Sequence, residues 1–193
     1  IYDCANENRP GVTAKVQTPD ESVKFLEKLF KFRQDISVIG IAGPGDPMCD
    51  ADKTLATFEK CKSHFPNALL CLSTNGLALP EHVDEIVRLG VSHVTVTVNA
   101  VTPDVGSKVY SWVRYEGKNY YGEEAARILL ARQDEGIRKL KEAGMLVKIN
   151  TVVIPGVNMD HIQSISAKAK QWGADIMNCM AMIPVHDTPF ENL

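Results

Sequence analysis

The sequence predicts a parallel α/β fold, a barrel or part of one, with a site at the carboxyl ends of its strands. Two observations carry that expectation. Five apolar, β-branched segments recur at 36–42, 68–73, 93–98, 147–154 and 176–183, and helical patterns lie between them; such alternation is the mark of parallel α/β architecture. Most of these segments end in polar or Gly/Pro clusters: Gly43-Pro44-Gly45-Asp46-Pro47, Thr74-Asn75-Gly76, Asn99, Pro155-Gly156-Val157-Asn158 and Pro184. Function gathers at strand carboxyl ends in such folds, and a ring of ligand-capable ends favours a closed or partly closed barrel around one site.

The helices follow in order. Residues 19–32 carry Val23, Leu26, Leu29 and Phe30 on one face, with Thr18 as the expected N-cap. A second helix is expected over 52–64. The third, 80–89, opens on proline and stops at Gly90. The fourth, 122–143, stops at Gly144, and the fifth, 160–172, at Gly173. The strands read as apolar on both pleat faces, as in a sheet buried on both sides. The stretch 102–122 is longer and rich in Tyr, Trp and Gly, and reads as an insertion that forms a lid over the active face.

Bulk properties narrow the function. The chain has 193 residues, 45% hydrophobic and 23% charged, and fits a single domain over 1–193. A net charge of -3 supplies no basic field for a phosphate backbone, so nucleic acid is not an expected partner. No apolar run reaches the ~20 residues of a bilayer span, and no membrane association is expected. The five cysteines, Cys4, Cys49, Cys61, Cys71 and Cys179, form neither CxxC pairs nor a disulfide framework, which points to a reducing, cytoplasmic setting.

Each motif has a plain reading beside a functional one. The two glycines of 41–47 let a backbone approach a ligand closely, and Asp46 could accept from an ammonium group; a tight empty loop is the alternative. No GK[ST] follows and no third spaced glycine is present, which excludes a phosphate loop and a dinucleotide fingerprint. Thr74 and Asn75 lie in a turn-prone Asn-Gly pair at a strand end. The alternating Thr95, Thr97 and Asn99 suit either an exposed sheet face or a barrel lumen. In the polar N-terminal segment Cys4, Glu7 and Arg9 stand close together, and a thiolate and a carboxylate three residues apart can share one metal centre. If Cys4 and Cys71 converge, they could hold an iron–sulfur cluster. Cys49, Cys61 and Cys179 read as structural, and the five histidines show no mutual metal spacing. A simple aldolase or isomerase barrel is disfavoured, because no lysine or carboxylate pair ends a strand and Lys148 begins one.

Taken together, residues 2–7 (Tyr-Asp-Cys-Ala-Asn-Glu), 9–13, 41–47, 73–77, 93–100, 148–158 and 178–184 resemble the radical S-adenosylmethionine (SAM) enzymes, and among them the maturases of the nitrogenase iron–molybdenum cofactor. The resemblance implies a partial TIM-type (β/α)6 barrel, here lacking its first strand, and a lyase- or transferase-type enzyme. It implies [4Fe-4S] clusters and SAM as cofactors, with SAM cleaved reductively to a 5′-deoxyadenosyl radical. It implies fusion of two [4Fe-4S] units around a SAM-derived carbide into an eight-iron precursor. Its partners would be cluster donors, carrier or scaffold proteins of nitrogenase assembly, and an electron donor such as a ferredoxin. By the same resemblance Gly43, Gly45 and Asp46 line the amino-acid end of SAM. Thr74, Asn75, Thr97, Asn99 and Asn150 surround the rest, and Ile154 packs near the adenine. Cys4 and Cys71 hold one substrate cluster, with Glu7 beside it as proton acceptor or alternative ligand. The family's CxxxCxxC is expected upstream of Ile1 and a further cysteine pair beyond Leu193. The chain therefore reads as cut at both ends and, by itself, as inactive. Another radical SAM maturase and an iron–sulfur scaffold or carrier are the alternatives.

Overall fold

The computed structural model describes residues 16–43, 45–184 and 190–191. The first helix, α1 (Pro19–Phe32), is fixed at its start by a capping box: the Glu21 amide donates to the Thr18 hydroxyl at 3.3 Å, and the Thr18 amide to the Glu21 carboxylate at 2.8 Å. Strand β1 (Val38–Ile41) leads through a 3-10 turn, Pro47–Asp50, into α2 (Ala51–His64). Strand β2 (Leu69–Thr74) is followed by a second 3-10 turn, Leu79–Glu81, and the short α3 (Val83–Arg88). After β3 (Val91–Thr97) comes the insertion: α4 (Pro103–Val109) and a hairpin of β4 (Trp112–Tyr115) with β5 (Lys118–Tyr121). The long α5 (Gly122–Glu142), β6 (Leu146–Val153), α6 (Ile162–Trp172) and β7 (Ile176–Ala181) complete the order.

The main sheet is all parallel, in the order β1-β2-β3-β6-β7. Leaving aside the hairpin, each strand is added beside the one before it and the order never reverses. A doubly wound sheet has a reversal point with helices on both faces. Here the winding runs in one direction and the helices gather on one face, which is the geometry of a barrel wall. The structure is thus a partial TIM-type barrel, and the expectation from strand ends holds.

The helix-side face is the core. Ile39, Leu70, Leu72, Val94, Val96, Val147 and Ile149 point to it and pack with Phe58 of α2, Ile86 of α3, Ile137 and Leu140 of α5 and Ile165 of α6. Burying such side chains stabilises by roughly 1.5–3 kcal/mol each. The expectation of strands apolar on both faces is corrected. Residues at the alternate positions, Cys71, Ser73, His93, Thr95, Thr97, Lys148, Asn150 and Asn178, face the other way in pairing rows across the sheet. Thr95 pairs with both Ser73 and Lys148, and Asn150 with both Thr97 and Asn178. Two-residue alternation makes one face apolar and the other polar.

The insertion packs at the rim. Val113 joins Ala125 and Leu129 of α5, with Tyr110, Tyr115, Tyr120 and Leu77 around them. Its aromatic residues therefore settle on α5 and on the loop after β2. Of the cysteines taken as structural, Cys61 is buried and its thiol is pushed up to about 11 by burial, whereas Cys49 and Cys179 are exposed. Among the described residues no helix is long and apolar enough to cross a membrane.

Candidate active site at the strand carboxyl ends

At the carboxyl edge of the sheet the structure sorts the expected site residues into two groups. The first group builds the frame. Asp46 follows β1, and its carboxylate accepts from the Met48 amide at 2.9 Å, from the Thr74 hydroxyl at 2.9 and 3.0 Å, and from the Asn75 amide. It thereby ties the loop after β1 to the end of β2. Burial raises the Asp46 carboxyl above the usual carboxylate range, and the three donors act against that rise. These donors make Asp46 a tie between the loops it joins. Gly43 and Gly45 shape this loop. At Gly43 φ is 112°, and a Cβ there would lie 3.0 Å from the Gly45 carbonyl oxygen, so only glycine fits.

Thr74 is buried, donates to Asp46 and accepts from the Gly76 amide at 3.1 Å, so its hydroxyl is occupied. Asn99 departs from the lumen row expected for it. It lies beyond β3, is buried, and its side-chain oxygen accepts from the Val152 amide at 2.8 Å. It fastens the exit of β3 to β6. Ile154 is fully enclosed by the protein's own atoms, so packing, not ligand contact, is what the structure gives it.

The second group is open to a ligand. Thr97 and Asn150 are paired neighbours on the polar face, both partly exposed. The Asn150 side-chain oxygen is buried with no hydrogen-bond partner. A buried acceptor left without a donor costs about 1–3 kcal/mol, and a bound N–H or O–H donor would satisfy it. Asn75 is exposed; its side-chain oxygen closes the turn on the Leu77 amide at 2.8 Å. Thr95, 5% exposed, lies on the polar face below Thr97, which settles it as lumen-facing rather than an exposed sheet residue.

Cys71 is partly buried on the same face, beside His93 on β3. Burial pushes its thiol up, while the Lys148 charge and a hydrogen bond with Thr95 pull it down. Cys4 and Glu7 lie outside the described residues. Among the described residues no group of three metal-capable side chains occurs.

Two frame residues escape a reading of the sequence. Gln133 of α5 is wholly buried; its amide donates to the carbonyls of Asn75 at 2.7 Å and Thr97 at 3.0 Å, joining the ends of β2 and β3. Gly76 makes room for it, since a Cβ there would lie 3.0 Å from the Gln133 side chain. Asn158, also wholly buried, joins Asn99, Val152 and Ile154. Gln133→Leu leaves the two carbonyls without their donor and is expected to lower stability by about 2 kcal/mol. Gln133→Glu should cost more, because it turns a carboxylate onto two carbonyl oxygens. Urea unfolding of both variants checks this, and a leucine variant as stable as wild type would refute it.

A sequence model described as Radical SAM superfamily matches residues 4–169. The FeMo cofactor biosynthesis protein NifB of Chlorobaculum tepidum is 42% identical over 192 residues, covering 100% of this chain and 45% of that protein. The NifB of Sinorhizobium fredii is 48% identical over 191 residues, covering 98% of this chain and 39% of that protein. The chain thus spans less than half the length of these relatives. Among solved structures, a radical SAM methyltransferase, TsrM, from Kitasatospora setae, with cobalamin and a [4Fe-4S] cluster bound, superposes with a TM-score of 0.61 at 19% identity. That match covers 93% of this chain and 34% of the other, and it supports the fold.

Proposed function

Since this chain belongs to the radical SAM superfamily, we propose that it is the SAM-binding barrel body of a nitrogenase-cofactor maturase of the NifB kind. The observation that carries the proposal is the joint one of similarity to NifB proteins along the whole of this chain and the unsatisfied Asn150 side-chain oxygen on the polar face. The superfamily's cofactors, SAM and [4Fe-4S] clusters, are the cofactors of this reading. When bound, they supply reductive cleavage of SAM. The chain's five cysteines contain no CxxxCxxC, so the ligands of the SAM-binding cluster are not residues of this sequence.

The residues present do fit SAM, a ligand rich in N–H and O–H donors with a charged amino-acid end. Asn150 and Thr97 would receive its polar groups, and Asn75 borders them at the end of β2. The loop at Gly43 and Gly45 brings backbone close to the same edge. Asp46, Thr74, Gln133, Asn99 and Asn158 hold these loops in place without spending their own groups on the ligand. A preformed polar ring of this kind reduces the ordering that binding would otherwise require.

Cys71 and Cys4 are the proposed ligands of a substrate [4Fe-4S] unit, with Glu7 beside it. In the proposed reaction two such units are fused and a SAM-derived carbon is inserted, in the cytoplasm. Cluster donors, a carrier or scaffold, and a reductant such as a ferredoxin serve as partners. The experiment uses the native-length protein, reconstituted anaerobically with iron and sulfide and given SAM and dithionite. S-adenosylhomocysteine and 5′-deoxyadenosine are measured for wild type, Cys4→Ala and Cys71→Ala. Loss of the methyl-transfer product with SAM cleavage retained supports the reading. Iron binding with neither product from wild type replaces it by a scaffold function.

A further inference from the structure

Lys148 is a charge the frame does not use. It lies in β6 on the polar face, paired with Thr95, one row above the row of Cys71 and His93. It is partly buried, yet among the described residues its ammonium forms neither an ion pair nor a hydrogen bond. The other partly buried lysines behave differently: Lys141 pairs with Asp175 at 2.7 Å and Lys168 with Asp134 at 2.9 Å. Drawing an ammonium partly out of water costs free energy unless an anion compensates it. The described residues around it on this face, Ser73, Thr95, Asn150 and Asn178, are neutral. Cys71, one row below on the same face, becomes anionic when it binds metal, and the Lys148 charge acts on its thiol.

We infer that Lys148 is the counter-charge for an anionic, thiolate-ligated iron–sulfur substrate held at Cys71, and so positions that substrate over the polar face. The inference rests on the reading of Cys71 as a substrate-cluster ligand. Its physical basis is simple. Each thiolate or carboxylate ligand adds a negative charge to an iron–sulfur unit, and nearby positive charge favours its reduced, more negative state. Thr95, paired with Lys148 on β6 and with Ser73 on β2, stands between the two on this face. Lys148 thus acts through the cluster's charge and is a positioning residue.

The test takes the native-length protein, reconstituted anaerobically with ferrous iron and sulfide. Wild type, Lys148→Met, Lys148→Arg and Cys71→Ala are compared. Three quantities are read: iron and sulfide bound per chain as free iron is lowered, the midpoint potential of the cluster signal by electron paramagnetic resonance, and SAM affinity by equilibrium dialysis. The expected result is loss of the substrate cluster in Cys71→Ala. Lys148→Met should hold it roughly tenfold more weakly and at a more negative midpoint, with SAM affinity unchanged. Lys148→Arg should restore both. Where the methionine variant fails to fold, Lys148→Gln carries the same comparison. If Lys148→Met keeps wild-type iron and potential while Cys71→Ala loses the cluster, the inference is overturned and the reading of Cys71 stands. If Cys71→Ala keeps all its iron, that reading falls first. If Lys148→Met loses SAM affinity with its iron intact, the anion is the SAM carboxylate and the inference is wrong.

Discussion

Asp46→Ala is expected to lower stability by about 3 kcal/mol and to weaken SAM binding by tenfold or more, because its carboxylate ties two loops of the site together. The variant strands the Met48 amide, the Thr74 hydroxyl and the Asn75 amide together. Each donor left unpaired costs about 1–3 kcal/mol where it is buried, and less where water can reach it. The loop after β1 then loses its tie to the end of β2, so Gly43 and Asn75 no longer face a common site. Asp46→Asn is the informative control. Its oxygen can accept from two donors, but its NH2 must meet the third donor head-on, so it should recover only part of the loss. Urea midpoints and equilibrium dialysis with SAM read both effects; an asparagine variant with wild-type SAM affinity would sink the argument. A pH signature accompanies it. Burial raises this carboxyl, so the native state holds a proton that the unfolded chain has already released. Stability from this group is therefore greatest in acid and declines as pH rises from about 4 through the raised value. Wild type should show that decline more steeply than Asp46→Asn.

The second large effect belongs to Asn158. Its amide nitrogen donates to the carbonyls of Asn99 and Val152, each at 2.9 Å, and its oxygen accepts from the Ile154 amide at 2.7 Å. The side chain is wholly buried, so water cannot replace these partners. Asn158→Ala is expected to cost about 3–5 kcal/mol, the upper range for breaking a buried network. The loss should extend to the ligand site, since Asn99 and the end of β6 are released together. Asn158→Asp should give no rescue: it keeps one acceptor, loses both donations and buries a charge. Chemical unfolding measures the cost, and a loss under about 1 kcal/mol would show that the network is not what holds this edge.

Much of this architecture was legible in the residues. Thr18 as N-cap marked the start of α1, and Gly90, Gly144 and Gly173 marked helix ends. Those signals are local: a cap or a left-handed glycine acts within one turn of chain. The strand ends were legible for the same reason, as punctuation after apolar runs. Gln133 was not. It sits in α5 within Arg132-Gln133-Asp134-Glu135, four polar residues of which nothing local says that Gln133 alone turns wholly inward. Asn158 read as the end of a turn, and only its three partners reveal it as a clamp.

What the sequence alone determined is the alternation of strands and helices, the position of each strand end, and membership of a family whose motifs run through the chain. The tertiary structure decided three further things. It set the one-way strand order that makes the sheet a barrel wall, and it put Cys71, Thr95, Lys148 and Asn150 on one polar face. It also bonded Asp46, Thr74 and Asn99 into the loops they join, packed Ile154 inside, and left the Asn150 side-chain oxygen beside Thr97 without a partner. The physical reason is range. Backbone conformation follows from neighbours in the chain, whereas strand order and the satisfaction of buried polar groups depend on partners tens of residues away.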